Sequence, residues 1–492
     1  VIQFSINGQW IKEDKIDPNW TVLRYFRTSG VHNATKEGCA GGDCGACTVL
    51  VAEQDASGIL CFQAINACIA LLGSVDGKNL ITVEGLRDGL NLHPVQQAMI
   101  DYHGSQCGFC TPGIVASLAA LYHNKQGETA TEHEIHEALS GNLCRCTGYR
   151  PIIDGAKAMM DYPAPSLKAP ISASPVVIFD PCALQSGITP SIDHDGRKLF
   201  VPETEDQLKT LLKQIPNATL WAGGTDLGLE LTQQFKQFDS IISLHKITKL
   251  TEVSESESCI RFGAMVTYTD AEPYLANHFP AFGLLINRIA ARQIRNLGTL
   301  GGNVANASPI GDTPPVFLAM NARIELSSCE GVREVAIDDF FKGYKQTAMK
   351  AGEYLSAIIV PKLASHQSLH VFKISKRKED DISAVLMAIR IDNDNGLIAN
   401  VRLACGGMAA TPLRASKTEA TLNGSPFELN SFEVAAEQIK NDYSPIQDVR
   451  ATPEYRLNVA RNLVIKTGLE LFSPELLSSS SHAVSSNKNG GH

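Results

Sequence analysis

The sequence contains no run of eighteen apolar residues, so no stretch of it has the length and hydropathy of a membrane-spanning helix. Its opening, VIQFSINGQWIKED, lacks the basic-then-apolar order of a secretory signal, and we expect neither export nor membrane attachment. Long basic runs are also missing, and a net charge of −9 offers little to a phosphate backbone, which argues against a nucleic-acid partner. No G-x-G-x-x-G occurs, so a Rossmann dinucleotide site has no support. Internal repeats are absent too, which removes solenoids and propellers. With 44% apolar and 19% charged residues the composition is that of an ordinary folded protein, and 492 residues are too many for one core.

What the chain does have is clustered cysteine. In the absence of an export signal, 13 cysteines point to a reducing, cytoplasmic compartment, where grouped thiols bind metal more often than they pair. Eight of the 13 fall in tight groupings before residue 150, and the later ones are isolated.

The local patterns divide the chain. FSINGQW reads as strand, Asn7-Gly8 turn, strand, and LITVEGL (80–86) as a further strand. Pro112 stands at a first-turn position of a helix over TPGIVASLAALYHN, and Thr131 with Glu134 forms a capping box for the next helix. Residues 1–86 therefore read as a small sheet domain and 87–162 as a helical one. Residues 163–195 have the proline-rich composition of a linker. From 196 to 362 apolar runs such as TLWAGG, SIISLH and CIRFGA alternate with helical EDQLKTLLKQI, giving a mixed α+β domain. A second α+β stretch follows over 368–472, and the tail 473–492 has too little to bury and should be disordered.

The first cysteine set is Cys39-x4-Cys44-x2-Cys47, followed by Cys68. This is plant-type [2Fe–2S] spacing. Gly38, Gly41, Gly42 and Gly45 allow the backbone to close around sulfide, whereas zinc sites favour paired C-x2-C knuckles. Cys61 competes with Cys68 as fourth ligand, and is read instead as a buried strand cysteine beside Phe62. The second set is Cys107-x2-Cys110 with Cys144-x-Cys146. Taken alone it could hold zinc, but Cys110 lies at the start of the Pro112 helix, where the helix dipole favours thiolate. Two tetracysteine sets in one half-chain point to electron conduction.

Two glycine-rich stretches complete the inventory. LWAGGTDLGLE (220–230) carries a Gly-Gly turn able to cradle phosphate with backbone N–H groups, although such a turn alone is weak evidence. ARQIRNLGTLGGNVANASPIGDTPP (291–315) is dense in small and polar residues between apolar runs, which suits backbone contact with a large polar ligand.

EGCAGGDCGACTV, NACIAL, QCGFCTPG and GNLCRCTGYRPI resemble, in order, the two-cluster N-terminus of the xanthine dehydrogenase/aldehyde oxidase family of molybdenum hydroxylases. The resemblance covers nearly all of 1–472 apart from the linker. It implies a ferredoxin-like β-grasp domain, a helical-bundle [2Fe–2S] domain, a PCMH-type FAD-binding α+β domain and a C-terminal α+β flavoprotein domain. It places one [2Fe–2S] cluster on Cys39, Cys44, Cys47 and Cys68, and another on Cys107, Cys110, Cys144 and Cys146, with Gln106 beside the molybdenum cofactor. FAD would contact Leu220, Trp221, Ala222, Gly223, Gly224, Thr225, Asp226 and Leu227 on one loop and Thr299 and Asn303 on another. Asp312, Leu355 and Lys373 complete the flavin set. Lys376, Arg377 and Lys378 are read as a solvated turn, and Asp380 as near the nicotinamide entry. Ala290 belongs to the implied flavin set as well, and the chain departs from the family pattern at Ile289 and Ala290, where animal relatives often have Phe-Ala. At Gly224 the animal forms have Asn.

The chain is expected to stop where a molybdopterin domain would begin. The resemblance then implies an electron-transfer and FAD subunit, with a molybdopterin-binding large subunit as partner in a heterotetramer of two of each chain. Electrons from purine hydroxylation, hypoxanthine to xanthine to urate, would pass through both clusters to FAD and on to NAD⁺. No catalytic residue for the hydroxylation is expected on this chain. The alternatives are the equivalent subunit of an aldehyde or N-heterocycle hydroxylase, and a non-enzymatic zinc-stabilised nucleotide-binding module.

Overall fold

Asn7 and Gly8 take φ values of 52° and 84°, the left-handed backbone of a type I′ turn, and the strands Ile2–Ile6 and Gln9–Glu13 pair antiparallel across it. The computed structural model describes residues 1–54, 58–163 and 189–474. They divide into two compact units, Val1–Ile247 with Ala291–Gly298, and Thr248–Ala290 with the chain from Thr299 onward.

In the first unit the hairpin is one edge of a five-stranded sheet. Its order is Gln9–Glu13, Ile2–Ile6, Asn79–Ile81, Thr48–Gln54, Leu60–Asn66, and the Ile2–Ile6/Asn79–Ile81 pair is parallel. The helix Val22–Ser29, capped by the Thr21 hydroxyl accepting from Arg24 N–H, packs Phe26 with Phe4, Val49 and Val51 in one core. Strand alternation turns Leu50 and Ala52 of Thr48–Gln54 to the opposite face, into a second core with Ile114, Leu118, Ile135 and Ile152. That second core belongs to the helices Pro94–Asp101, Thr111–Asn124, Glu132–Leu139 and Arg150–Ala158. One strand buried on both faces thus carries the sheet and the helices together. It starts immediately after Cys47.

The expected helices at Pro112 and Thr131 are present. Pro112 lies in the first turn of its helix, and Thr131 and Glu134 form the reciprocal capping box. The expected strand over 80–86 is shorter: it ends at Ile81 and a 3-10 turn, Val83–Leu86, follows. Asn7 accounts for the change, since its side chain accepts from Thr82 N–H (2.9 Å) and donates to Thr82 Oγ1 (3.0 Å), drawing the backbone off the ladder.

Of the proline-rich stretch, residues 164–188 lie outside the described residues, as do residues 475–492 of the expected disordered tail. Ile192–His194 already forms a strand. It joins a four-stranded sheet with Arg197–Phe200, Ser240–Ser243 and Thr219–Trp221.

The second unit holds two larger antiparallel arrangements. A five-stranded sheet runs Val253–Glu255, Cys259–Gly263, Tyr354–Pro361, Arg323–Ser328, Gly331–Ala336. A four-stranded sheet runs Gln367–Ile374, Val385–Asp394, Leu397–Gly406, Leu413–Arg414, and its core includes residues of the helices Leu429–Ala436 and Pro453–Phe472. No helix among the described residues is long and apolar enough to cross a membrane.

Candidate functional site

The loop carrying the first cysteine set is folded around its own sulfurs. Cys39 Sγ accepts from the backbone N–H groups of Gly41 (3.3 Å), Asp43 (3.4 Å) and Cys44 (3.3 Å). Cys39 also hydrogen-bonds the thiols of Cys44 and Cys68, and Cys68 bonds that of Cys47, so all four are linked. Those thiol bonds come first in pulling Cys39 far below the ordinary thiol range and in pushing Cys68 far above it. The glycines are required by position. A Cβ on Gly38 would sit 2.7 Å from Cys44 Sγ, and one on Gly45 (φ 68°) would sit 2.0 Å from the Gly141 carbonyl oxygen. Cys61 stands apart in the strand Leu60–Asn66, next to Phe62 as expected, but it is partly exposed rather than buried.

The second set converges from three helix ends. Cys107 and Cys146 approach to 3.7 Å, Cys146 neighbours Cys144, and Cys144 bonds Cys110. Cys110 and Cys144 are buried while Cys107 and Cys146 are exposed. Cys110 is the N-cap of Thr111–Asn124, as expected. Burial, followed by the bond to Cys144, pushes its thiol up to about 12. At Cys144 burial is outweighed by the Thr147 hydroxyl and by the N–H groups of Thr147 and Cys146, which bring it down to about 7. Gln106 is exposed at the edge of this set.

The two sets are joined directly. Leu143, adjacent to Cys144, donates its N–H to the carbonyl of Cys44 at 3.0 Å. Asn142 Nδ2 reaches the Gly45 carbonyl at 3.2 Å.

Among the described residues no group of three or more His, Cys, Asp or Glu side chains is disposed around one metal ion. A two-iron cluster has a different requirement, because its four thiolates are shared between two metals. The donor chemistry fits that group: four thiols per set, Gly38, Gly42 and Gly45 in the first loop where a Cβ would clash, and backbone donors aimed at sulfur.

The flavin candidates are built as follows. In the first unit, the strand Thr219–Trp221 ends in a glycine turn before the short helix Leu227–Thr232. Gly224 has φ 69° and packs on the Trp221 indole, where a Cβ would lie 2.2 Å from Nε1, and a Cβ on Gly223 would lie 1.7 Å from the Leu297 carbonyl oxygen. Trp221 Nε1 is buried and has no hydrogen-bond partner among the described residues. Among the described residues none accepts from the N–H groups of Gly223, Gly224 or Thr225. This is the donor-rich nest that an anionic group takes. Leu220, Ala222, Thr225 and Leu227 flank it half-buried, with Asp226 exposed.

In the second unit, Asp312 accepts from Lys373 Nζ and from Ser383 Oγ, both at 2.6 Å, and all three are buried. Its negative charge, after burial, helps push the Tyr268 hydroxyl far above its usual range. Asn303 Oδ1 accepts from Thr313 Oγ1 at 2.6 Å, and Thr299 caps the helix Leu300–Ala305 by accepting from Gly302 N–H at 3.0 Å. Leu355 lies in the core strand Tyr354–Pro361, paired with Leu326. Ala290 is half-buried at φ 48°, a strained backbone for alanine. Lys376, Arg377 and Lys378 are exposed, as read from the sequence. Arg288 is a residue the sequence reading missed. Its guanidinium donates to the carbonyls of Lys373 (3.1 Å) and Lys378 (3.2 Å) and to Ser375 Oγ (3.3 Å), clamping the strand end that presents Lys373. Ser383 was missed as well. Neither carries a local motif.

A family model for the FAD binding domain in molybdopterin dehydrogenase matches residues 194–363, one for a [2Fe-2S] binding domain matches 82–157, and one for the CO dehydrogenase flavoprotein C-terminal domain matches 370–471. The xanthine dehydrogenase of Emericella nidulans is 34% identical over 482 residues, covering 87% of this chain and 35% of that protein. The xanthine dehydrogenase/oxidase of Mus musculus is 34% identical over 463 residues, covering 84% and 34%. Together the three models and these relatives decide the family. The chain belongs to the xanthine dehydrogenase family of molybdenum hydroxylases.

Within that family it is an iron–sulfur and FAD electron-transfer module with the multidomain α+β fold expected. It spans about a third of the length of the curated relatives it matches. Among solved structures it resembles a carbon monoxide dehydrogenase chain from Hydrogenophaga pseudoflava (TM-score 0.53, 27% identity, 56% of this chain and 96% of that one). It also resembles a chain of quinoline 2-oxidoreductase from Pseudomonas putida 86 (TM-score 0.52, 26% identity, 56% and 96%).

Proposed function

We propose that this chain is the iron–sulfur/FAD subunit of a heteromeric, cytoplasmic xanthine dehydrogenase. A molybdopterin-binding large subunit would hydroxylate the purine with water, in an assembly of two copies of each chain. The observation that carries the reading is the pair of four-thiol sets joined by the Leu143 N–H to Cys44 carbonyl bond. When bound, the clusters would supply one-electron carriage, and FAD would combine two electrons for delivery to NAD⁺.

The chain's own residues do the holding and tuning. Cys39, Cys44, Cys47 and Cys68 hold one cluster, and Cys107, Cys110, Cys144 and Cys146 the other. Backbone N–H groups of Gly41, Asp43 and Cys44 stabilise negative charge on the Cys39 sulfur. The turn Leu220 through Leu227 offers its N–H groups to the pyrophosphate of FAD, and Thr299, Asn303, Asp312, Leu355 and Lys373 contact the rest, with Ala290 at the edge of the set. The Lys373 cation opposes negative charge building on the ligand and is itself held by Asp312. Domain limits of 1–86, 87–162, 196–362 and 368–472, with linker and tail between and after, accompany this reading.

A visible spectrum before and after dithionite tests it. A brown protein with overlapping flavin and [2Fe–2S] absorption, bleaching on reduction, is expected; a colourless, iron-free protein would refute the reading. Co-purified with its partner, the chain should support NADH formation from xanthine. The second reading, an N-heterocycle or aldehyde hydroxylase subunit, draws on the likeness to quinoline 2-oxidoreductase. Turnover of those substrates with none of xanthine would favour it.

A further inference from the structure

The segment Ala291–Gly298 lies far along the chain from both cysteine sets, within the stretch matched by the FAD-binding family model, yet it packs in the first unit. It is anchored there at two points. Arg295 pairs with Glu137 at 2.7 Å, on the helix Glu132–Leu139 that leads to Cys144, and Asn296 Nδ2 donates to the Ala64 carbonyl at 2.8 Å on the strand that leads to Cys68.

Between these anchors Gln293 is fully buried. Its Nε2 donates to Asn142 Oδ1 (3.0 Å) and Ser117 Oγ (3.1 Å), and approaches Thr48 Oγ1 (3.4 Å). Each partner belongs to a cysteine loop or its support. Asn142 stands two residues before Cys144 and holds the Gly45 carbonyl. Ser117 is on the helix capped by Cys110 and donates to Asn142 Oδ1 at 2.7 Å. Thr48 follows Cys47 and donates to the Gly45 carbonyl at 2.7 Å. Gly141 is what lets Gln293 in, since a Cβ there would lie 2.3 Å from Gln293 Oε1.

We infer that Gln293 is a positioning residue for electron transfer between the two clusters: one buried amide, delivered by the FAD-binding part of the chain, locks both cysteine loops in register. The inference rests on the reading that both sets carry clusters. The loops are linked directly by the backbone bond from Leu143 N–H to the Cys44 carbonyl and by Asn142 Nδ2 donating to the Gly45 carbonyl. The Gln293 network braces both sides of that link, so its loss lets the loops shift while each keeps its own four thiols.

The test uses the full chain purified with its clusters. Gln293→Met keeps the length and bulk of the side chain and removes its donors. Iron content and both reduced-cluster EPR signals should match the parent. The magnetic splitting between the two reduced clusters should change, and electron equilibration between them after flash photoreduction should slow about tenfold, as outer-shell substitutions around metal sites do. Unchanged splitting and rate in a variant with full iron overturn the positioning role. A parent protein without iron overturns the cluster reading itself, so the two failures are distinguishable. If Gln293→Met does not accumulate, Ser117→Ala removes one acceptor at the same junction. A smaller change in the same direction supports the inference, and no change overturns it.

Discussion

On the proposed reading the two cysteine sets do the same kind of work, and they do it in opposite surroundings. The first is wrapped by a glycine loop whose N–H groups point at sulfur, with Cys47 and Cys68 buried. The second is assembled from helix ends, with Cys107 and Cys146 open to solvent. Burial and hydrogen bonds to sulfur are the levers that set cluster potentials. The first set is therefore insulated by its own backbone. The second leaves two of its thiols exposed, with Gln106 beside them exposed as well. The two sets thus differ in how their sulfurs are shielded from solvent.

The largest effect that would break this comparison is loss of a ligand. Cys68→Ser should abolish the first cluster and remove about half of the iron of a two-cluster chain, while Cys61→Ser should leave iron unchanged. Iron analysis with EPR decides. Equal iron in both variants would refute the ligand assignment.

Next comes the backbone. Gly45→Ala places a methyl against the Gly141 carbonyl at a φ of 68°, so a left-handed strain of ~1–2 kcal/mol is joined by a clash that can give only by moving backbone. A total above about 3 kcal/mol is expected. Gly108, between Cys107 and Cys110, also has positive φ (82°), but a Cβ there meets nothing within 4 Å. Gly108→Ala should cost the ~1–2 kcal/mol of strain alone. Denaturant midpoints compare them; similar losses would mean the first loop is no tighter than the second.

A smaller difference should appear in metal release. Under a chelator with mild oxidant, the EPR signal of the second cluster should decay at least a few-fold faster, because its exposed thiolates meet reagents first. Decay in the reverse order would invert the comparison.

How much of this was legible follows from how far each contact reaches. Cys39-x4-Cys44-x2-Cys47 with its glycines is local, and so were the Asn7-Gly8 hairpin and the Thr131–Glu134 capping box. Gln293 was not. Its partners are 151, 176 and 245 residues away, and a single glutamine in a short helix has no pattern that announces them. Arg288 and Ser383 escaped for the same reason. Where a local rule misled, a tertiary contact won: the Asn7 side chain ended the strand before Val83.

A further expected effect is on pH dependence, on the helical side. His93 is fully buried, and its Nε2 lies 3.1 Å from Nε2 of His123, which stacks on Phe62 at 4.4 Å. Burial, and then His123, holds His93 down to about 3, while burial holds His123 down to about 4. An unfolded histidine takes its proton near 6.5. Between that pH and about 4 the unfolded chain binds more protons than the folded one, so stability falls as pH falls. Above neutrality this pair adds no slope, and below about 3 both states are charged and its contribution is gone. Between pH 7 and 5 the pair should withdraw on the order of 4 kcal/mol. Thermal melts at both pH values should show a clear drop for the parent and a flatter response for His123→Gln. Equal drops would show that the histidine pair does not set the acid limit of the helical cluster domain.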